Sequence, residues 1–199
     1  MGSQPYPRSR GIALAATFAA LISVVSPISI PLGPNFPPIT LQVFMVYLAS
    51  ALLGPWYGAL SMVIYLVLGA VGLPVFAGLS GGTAVLVGFT GGYLFAFAIS
   101  TLVGGLVGGR RSATRKGDTL RVSLASLVAL TIIYGIGVVW LSTYLGLSLV
   151  QGFSLGAAPF IPFDLLKAVV AVPIAVRLRW STLQLPVNAS RSAPGDSSR

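Results

Sequence analysis

Between Arg10 and Arg110 the chain runs for 99 residues, 11 to 109, without one Asp, Glu, Lys or Arg. No water-soluble domain folds from such a stretch, because a soluble surface draws on about a quarter of charged residues in the chain. A second uncharged run of 42 residues separates Arg121 from Asp164. With 55% hydrophobic and 8% charged residues and a mean hydropathy of +0.93, the 199-residue chain reads as an integral membrane protein. A bilayer core takes about 20 apolar residues per helix, so the first run has room for about four spans and the second region for about two.

The few charges set the expected topology. Arg8 and Arg10, the run Arg110, Arg111, Arg115, Lys116 and Arg121, and Arg177, Arg179, Arg191 and Arg199 account for eleven of twelve cations. The positive-inside rule places all three clusters in the cytoplasm, so even numbers of spans separate them. The expected fold class is an all-α membrane protein with six transmembrane helices and both termini cytoplasmic, in the cell membrane of a prokaryote. The net charge of +9 is then a topology signal, not a nucleic-acid surface. A cleaved signal peptide behind Arg8 and Arg10 is the rival for the N-terminus, but its loss leaves five spans and a new N-terminus outside.

Residues 1–10 form a cytoplasmic N-terminus, residues 11–180 the six-helix domain, and residues 181–199, rich in Ser, Pro and Gly, a disordered cytoplasmic tail. The first span covers about Gly11 to Ser26 and ends at a proline-rich outer segment, PISIPLGPNFPP. The second runs from Ile39 to Leu53, Gly54-Pro55 breaks it, and the third returns to about Val71. A glycine-dense stretch from Gly72 to Leu94 reads as an outer loop dipping into the bundle, since irregular backbone at membrane depth must be buried in protein or line a cavity. The fourth span covers about Thr90 to Gly109 and the fifth about Leu120 to Leu145. A second outer loop precedes the sixth, about Phe160 to Val176.

Catalysis has little to work with. The chain has no His, Cys or Glu, which removes imidazole and thiolate nucleophiles, their metal sites and disulfides, so neither metal nor cofactor is expected. Only Asp164 of the three Asp residues falls in a span, so an intramembrane aspartyl pair is absent, and no Gly-Lys-Ser/Thr makes a P-loop ATPase. A channel is disfavoured because no repeated ring of polar residues recurs on several helices. Asp164 and Lys167 are the informative residues: counted from Arg177 at 1.5 Å per residue they lie roughly 20 and 15 Å into the membrane. An ionisable group at that depth costs about 2.5 to 3.5 kcal/mol and usually faces the bundle interior at a functional site. The i, i+3 spacing puts both on one face. They offer an acceptor and a donor to a polar ligand, or else neutralise one another. Gln42 and Tyr93, with Thr40, Tyr47 and Thr90, are candidates for the opposing wall. Helix capping, interhelical hydrogen bonding and the interfacial belt are the plainer explanations of those residues.

The segment PITLQVFMVYLASALLGPWYGALSMVIYLVLGAVGLPVFAGLSGGTAVLVGFTGGYL, from Pro38 to Leu94, together with PFIPFDLLKAVVA from Pro159 to Ala171, resembles the biotin-specific S components of energy-coupling-factor transporters, the BioY family. The resemblance implies six helices around a high-affinity biotin pocket near the outer face. It also implies uptake driven by a membrane scaffold (T) subunit and ATPase (A) subunits, without an ATPase of the chain's own. Carried over, Asp164 and Lys167 match the acidic and basic binding residues of the last helix, and Thr90, Gly91, Gly92 and Tyr93 match the TGGY segment. Ala15 and Ala19, or Ala16 and Ala20, match the small-residue face that docks the scaffold. Two departures stand beside the site: Phe89 replaces the usual Pro before TGGY, and Phe163 replaces the usual Gly before Asp-x-x-Lys. An S component for another vitamin, such as riboflavin or thiamine, is the alternative with the same fold.

Overall fold

The computed structural model describes residues 8–33, 36–108 and 111–181, and the chain is mostly helical. In chain order the elements are α1 (Arg8–Val25), β1 (Ser29–Ile30), β2 (Ile39–Thr40), α2 (Gln42–Ala70), a 3-10 turn (Ala77–Leu79), α3 (Thr83–Val87), α4 (Gly91–Gly108), α5 (Arg115–Leu145), α6 (Leu149–Gly156) and α7 (Ile161–Trp180). Four helices, α1, α2, α4 and α5, are long and apolar enough to cross a bilayer; α6 and α7, bent by 52°, make a fifth if counted as one span. The expected tail beyond Ser181, the first seven residues and Arg110 lie outside the described residues.

α2 is two helical arms that meet at Gly54. Gly54 leaves the helix with φ +74 and ψ −173, a left-handed conformation that costs a residue with a Cβ, and Pro55 starts the next turn, where a missing N–H is harmless. The chain folds back at this point. Gln42 Nε2 donates to the Tyr65 hydroxyl at 2.7 Å, although in a straight helix 23 residues would hold them about 34 Å apart. Residues 42–53 and 55–70 are therefore two antiparallel arms, as Gly54-Pro55 leads one to expect. α4 crosses the tip of this hairpin, where a Cβ on Gly105 would lie 2.6 Å from the Pro55 nitrogen. That contact permits only glycine.

The tip marks one end of the bundle, and the charges collect there. Gly11 of α1 packs on Tyr57, and Arg111 and Arg115 lie 3.9 and 5.6 Å from the Trp180 ring. Two charges at this end are buried. Arg179 Nη1 donates to Asp118 Oδ1 at 2.7 Å, its Nε donates to the Ala51 carbonyl at 2.9 Å, and its Nη2 donates to the Gly108 carbonyl. Trp180 Nε1 adds a hydrogen bond of 3.1 Å to Asp118 Oδ2. One guanidinium thus ties together the α2 hairpin and the ends of α4, α5 and α7. α5 begins at Arg115, capped by Thr114, and α7 runs to Trp180, so both helices reach past the expected spans of about Leu120 to Leu145 and about Phe160 to Val176 and bring Asp118 and Arg179 into helical ends.

The opposite end carries the irregular segments. The proline-rich segment forms a two-residue antiparallel ladder, Ser29 with Thr40 and Ile30 with Ile39, which delivers Thr40 to the head of α2. The glycine-dense stretch folds into the 3-10 turn and α3. The segment expected as the second outer loop is in part helical, because Ser148 and Gln151 form a capping box, each side chain satisfying the other's backbone N–H at the start of α6.

Candidate ligand-binding site

A cavity of about 490 Å³ opens at this irregular end. Pro37 to Thr40, Gln42 and Val43 form one side, Tyr93, Leu94 and Phe97 of α4 another, and Ile133, Tyr134, Gly156, Phe160, Asp164 and Lys167 the third. Phe76, Ala77, Ser80, Ala84, Val85, Gly88, Phe89 and Thr90 complete it from the segment between the α2 hairpin and α4. The walls are mainly apolar and aromatic, and the polar groups are concentrated in two places. This is the usual design of a small-molecule site, where apolar walls supply burial and a few placed polar groups supply orientation.

The first polar centre is Asp164. It sits in the first turn of α7, which Pro162 helps to start, and is 4% exposed. Lys167 Nζ donates to its Oδ1 at 2.6 Å and the Tyr134 hydroxyl donates to its Oδ2 at 2.6 Å. Tyr47, at 3.4 Å, donates to its backbone carbonyl. The second centre is a buried chain of hydrogen bonds. Thr40 Oγ1 donates to Gln42 Oε1 at 2.8 Å, Gln42 Nε2 donates to the Tyr65 hydroxyl at 2.7 Å, and that hydroxyl is hydrogen-bonded to Ser26 Oγ at 2.6 Å. The chain carries the pocket wall back to the end of α1. Every buried hydroxyl in it has a partner, as burial requires.

The structure brings together Asp164, Lys167, Gln42, Thr90 and Tyr93 around one cavity. Tyr93 donates to the Gly156 carbonyl at 2.9 Å and packs edge-on against Tyr134. Gly91 and Gly92 are not brought to it: both are buried in the first turn of α4, where a Cβ on Gly92 would lie 2.6 Å from Trp140 Cγ. The bare Cα of Gly92 lets α4 close on α5, and that of Gly91 leaves room for the Leu86 carbonyl of α3. Ala15 and Ala19 are sealed inside the bundle, whereas Ala16 and Ala20 face outward.

A model of the BioY family matches residues 3–184, nearly the whole chain. The chain belongs to the BioY family. Its relatives include the probable biotin transporter BioY of Pyrococcus horikoshii, 46% identical over 175 residues that cover 88% of this chain and 99% of that one. The biotin transporter BioY of Thermotoga maritima is 48% identical over 171 residues, 85% of this chain and 96% of its own. Among solved structures, the S component for biotin from an ECF-type ABC transporter superposes with a TM-score of 0.74 at 30% identity, covering 86% of this chain and 92% of that one.

In this BioY-family chain, Tyr134, Ile133, Gly156 and Phe160 are cavity-wall residues that the sequence does not single out. A signal existed for Tyr134. A tyrosine in mid-helix, far from either membrane interface, has a hydroxyl that must find a buried partner. Gly156 and Phe160 carry no such mark and enter the wall only because α6 turns into α7 there.

Proposed function

We propose that the chain captures biotin at the outer face of the cell membrane and delivers it inward as the S component of an energy-coupling-factor transporter. The observation that carries this reading is the Asp164–Lys167 pair at one polar end of a mainly apolar cavity, in a chain whose relatives are named biotin transporters. The ureido ring of biotin presents N–H and C=O side by side. Asp164 accepts from the N–H, Lys167 donates to the C=O, and the fused rings and aliphatic chain lie against Phe97, Leu94, Val43 and Ile133. The segment with Phe76, Val85 and Phe89 covers the bound vitamin.

The same reading assigns six spans: α1, the two arms of α2, α4, α5 and α7, with α6 capping the pocket. An even count agrees with the collection of cations at one end, which the positive-inside rule makes cytoplasmic together with both termini, in a prokaryotic plasma membrane. Energy comes from the A subunits through the T subunit, since the chain lacks a Gly-Lys-Ser/Thr motif. Ala16 and Ala20 are the members of the small-residue face on α1 that remain outward to meet the scaffold.

Protein purified from cells fed with labelled biotin retains the label, and unlabelled biotin displaces it. Failure to retain biotin, with saturable binding of riboflavin or thiamine instead, would transfer the site to another vitamin. Topology is tested in a chain without native cysteine: Ala113→Cys, an exposed position between α4 and α5, reacts in intact cells with a permeant maleimide and not with an impermeant one. Labelling by the impermeant reagent would reverse the orientation.

A further inference from the structure

The two oxygens of Asp164 are each held by a different protein donor, Oδ1 by Lys167 and Oδ2 by Tyr134, both at 2.6 Å. The donors differ in origin. Lys167 lies one turn along the same helix, so an ammonium on a flexible stem can close on either oxygen or straddle both. Tyr134 comes from α5, and its ring is fixed from behind by Tyr93, 6.5 Å away and at 82°, whose own hydroxyl is tied to the Gly156 carbonyl. The tyrosine has one hydrogen to give and a rigid ring that aims it.

Such a pair left to itself would turn inward. A carboxylate offers about four acceptor sites and an ammonium three donors, and the lowest-energy contact of two adjacent ions is the one that satisfies most of these mutually. A pair closed in this way presents little to a neutral ligand. With Tyr134 on Oδ2 and Lys167 on Oδ1, the plane of the carboxylate is set by a donor from a second helix, and each oxygen keeps an acceptor site while the ammonium keeps hydrogens unspent on Asp164.

We infer that Tyr134 is a positioning residue: its hydroxyl holds the Asp164 carboxylate open against Lys167, so that the two charges present an acceptor and a donor to the N–H and C=O of the ligand. The inference rests on the biotin reading above and assigns a specificity role to a residue that acts through Asp164.

A double-mutant cycle tests it. Biotin affinity is measured by calorimetry on the wild type, Tyr134→Phe, Asp164→Asn and the double variant, with the ligand-free melting temperature of each. Tyr134→Phe is expected to weaken binding about tenfold beside Asp164 and less than threefold beside the Asp164→Asn amide, which holds no charge for the hydroxyl to steer. Equal losses in both backgrounds, no loss in either, or a Tyr134→Phe protein that does not fold would make the hydroxyl structural and overturn the inference alone. A wild type that binds no biotin would remove the functional reading, and this inference with it.

Discussion

Asp164→Asn weakens biotin binding by about 2 to 4 kcal/mol, roughly 30- to 1,000-fold, when titrated by calorimetry on the purified protein. The size follows from where the carboxylate sits. Asp164 is nearly fully buried, with Lys167 on one oxygen and Tyr134 on the other. The amide keeps the shape and one acceptor but loses the charge, so the hydrogen bond to the ligand N–H becomes a neutral one. It also leaves the Lys167 ammonium without its counter-ion at membrane depth, where an unpaired charge is costly. Lys167 then relaxes toward the nearest carbonyl or water and is no longer placed for the ligand carbonyl. Both halves of the recognition fail together, which is why the loss exceeds that of a single neutral hydrogen bond. Unchanged affinity would remove Asp164 from the site.

How much of this was legible in the sequence depends on whether the signal was local. Gly54-Pro55 encodes its own turn, so the hairpin of α2 is readable from two residues. The Asp164–Lys167 pair is readable because charge in an apolar helix is conspicuous and i, i+3 spacing is a one-helix property. Tyr134 is different. Which way it faces depends on the rotation of α5 in the bundle, which is fixed by tertiary contacts with α4 such as Gly92 on Trp140 and Gly137 on Tyr93. The glycines of the TGGY segment show the opposite confusion. Close approach of backbone is what a glycine permits, but the sequence does not say whether a ligand or a neighbouring helix approaches. At Gly91 and Gly92 the structure shows buried helix packing, while Thr90 and Tyr93 on either side line the cavity. Ser148 and Gln151, three residues apart, are a local signal for α6 inside the segment expected to be the second outer loop.

Arg179→Met is expected to lower the stability of the protein by about 3 to 5 kcal/mol, the range for removing one partner of a buried ion pair. Asp118 is fully buried and its Oδ1 is held by Arg179; what remains after the substitution is Trp180 Nε1 on Oδ2 and the Ser112 N–H, at 3.3 Å, on Oδ1. Two neutral donors do not replace a guanidinium around a desolvated carboxylate. The substitution also strips a donor from the carbonyls of Ala51 and Gly108, at the ends of the first α2 arm and of α4, where no further helical turn supplies one. The converse change, Asp118→Asn, is milder, because Arg179 keeps both backbone carbonyls and the amide oxygen still accepts. The double variant Asp118→Leu with Arg179→Met recovers part of the loss by removing the stranded charge, but not the part due to the two carbonyls. Thermal unfolding in detergent therefore ranks the proteins wild type, Asp118→Asn, double variant, Arg179→Met in falling order. Biotin affinity of the folded fraction stays unchanged throughout, since the cavity lies at the other end of the bundle. A melting temperature for Arg179→Met equal to that of the wild type would mean that water reaches Asp118, and that the four elements meeting there are held by apolar packing alone.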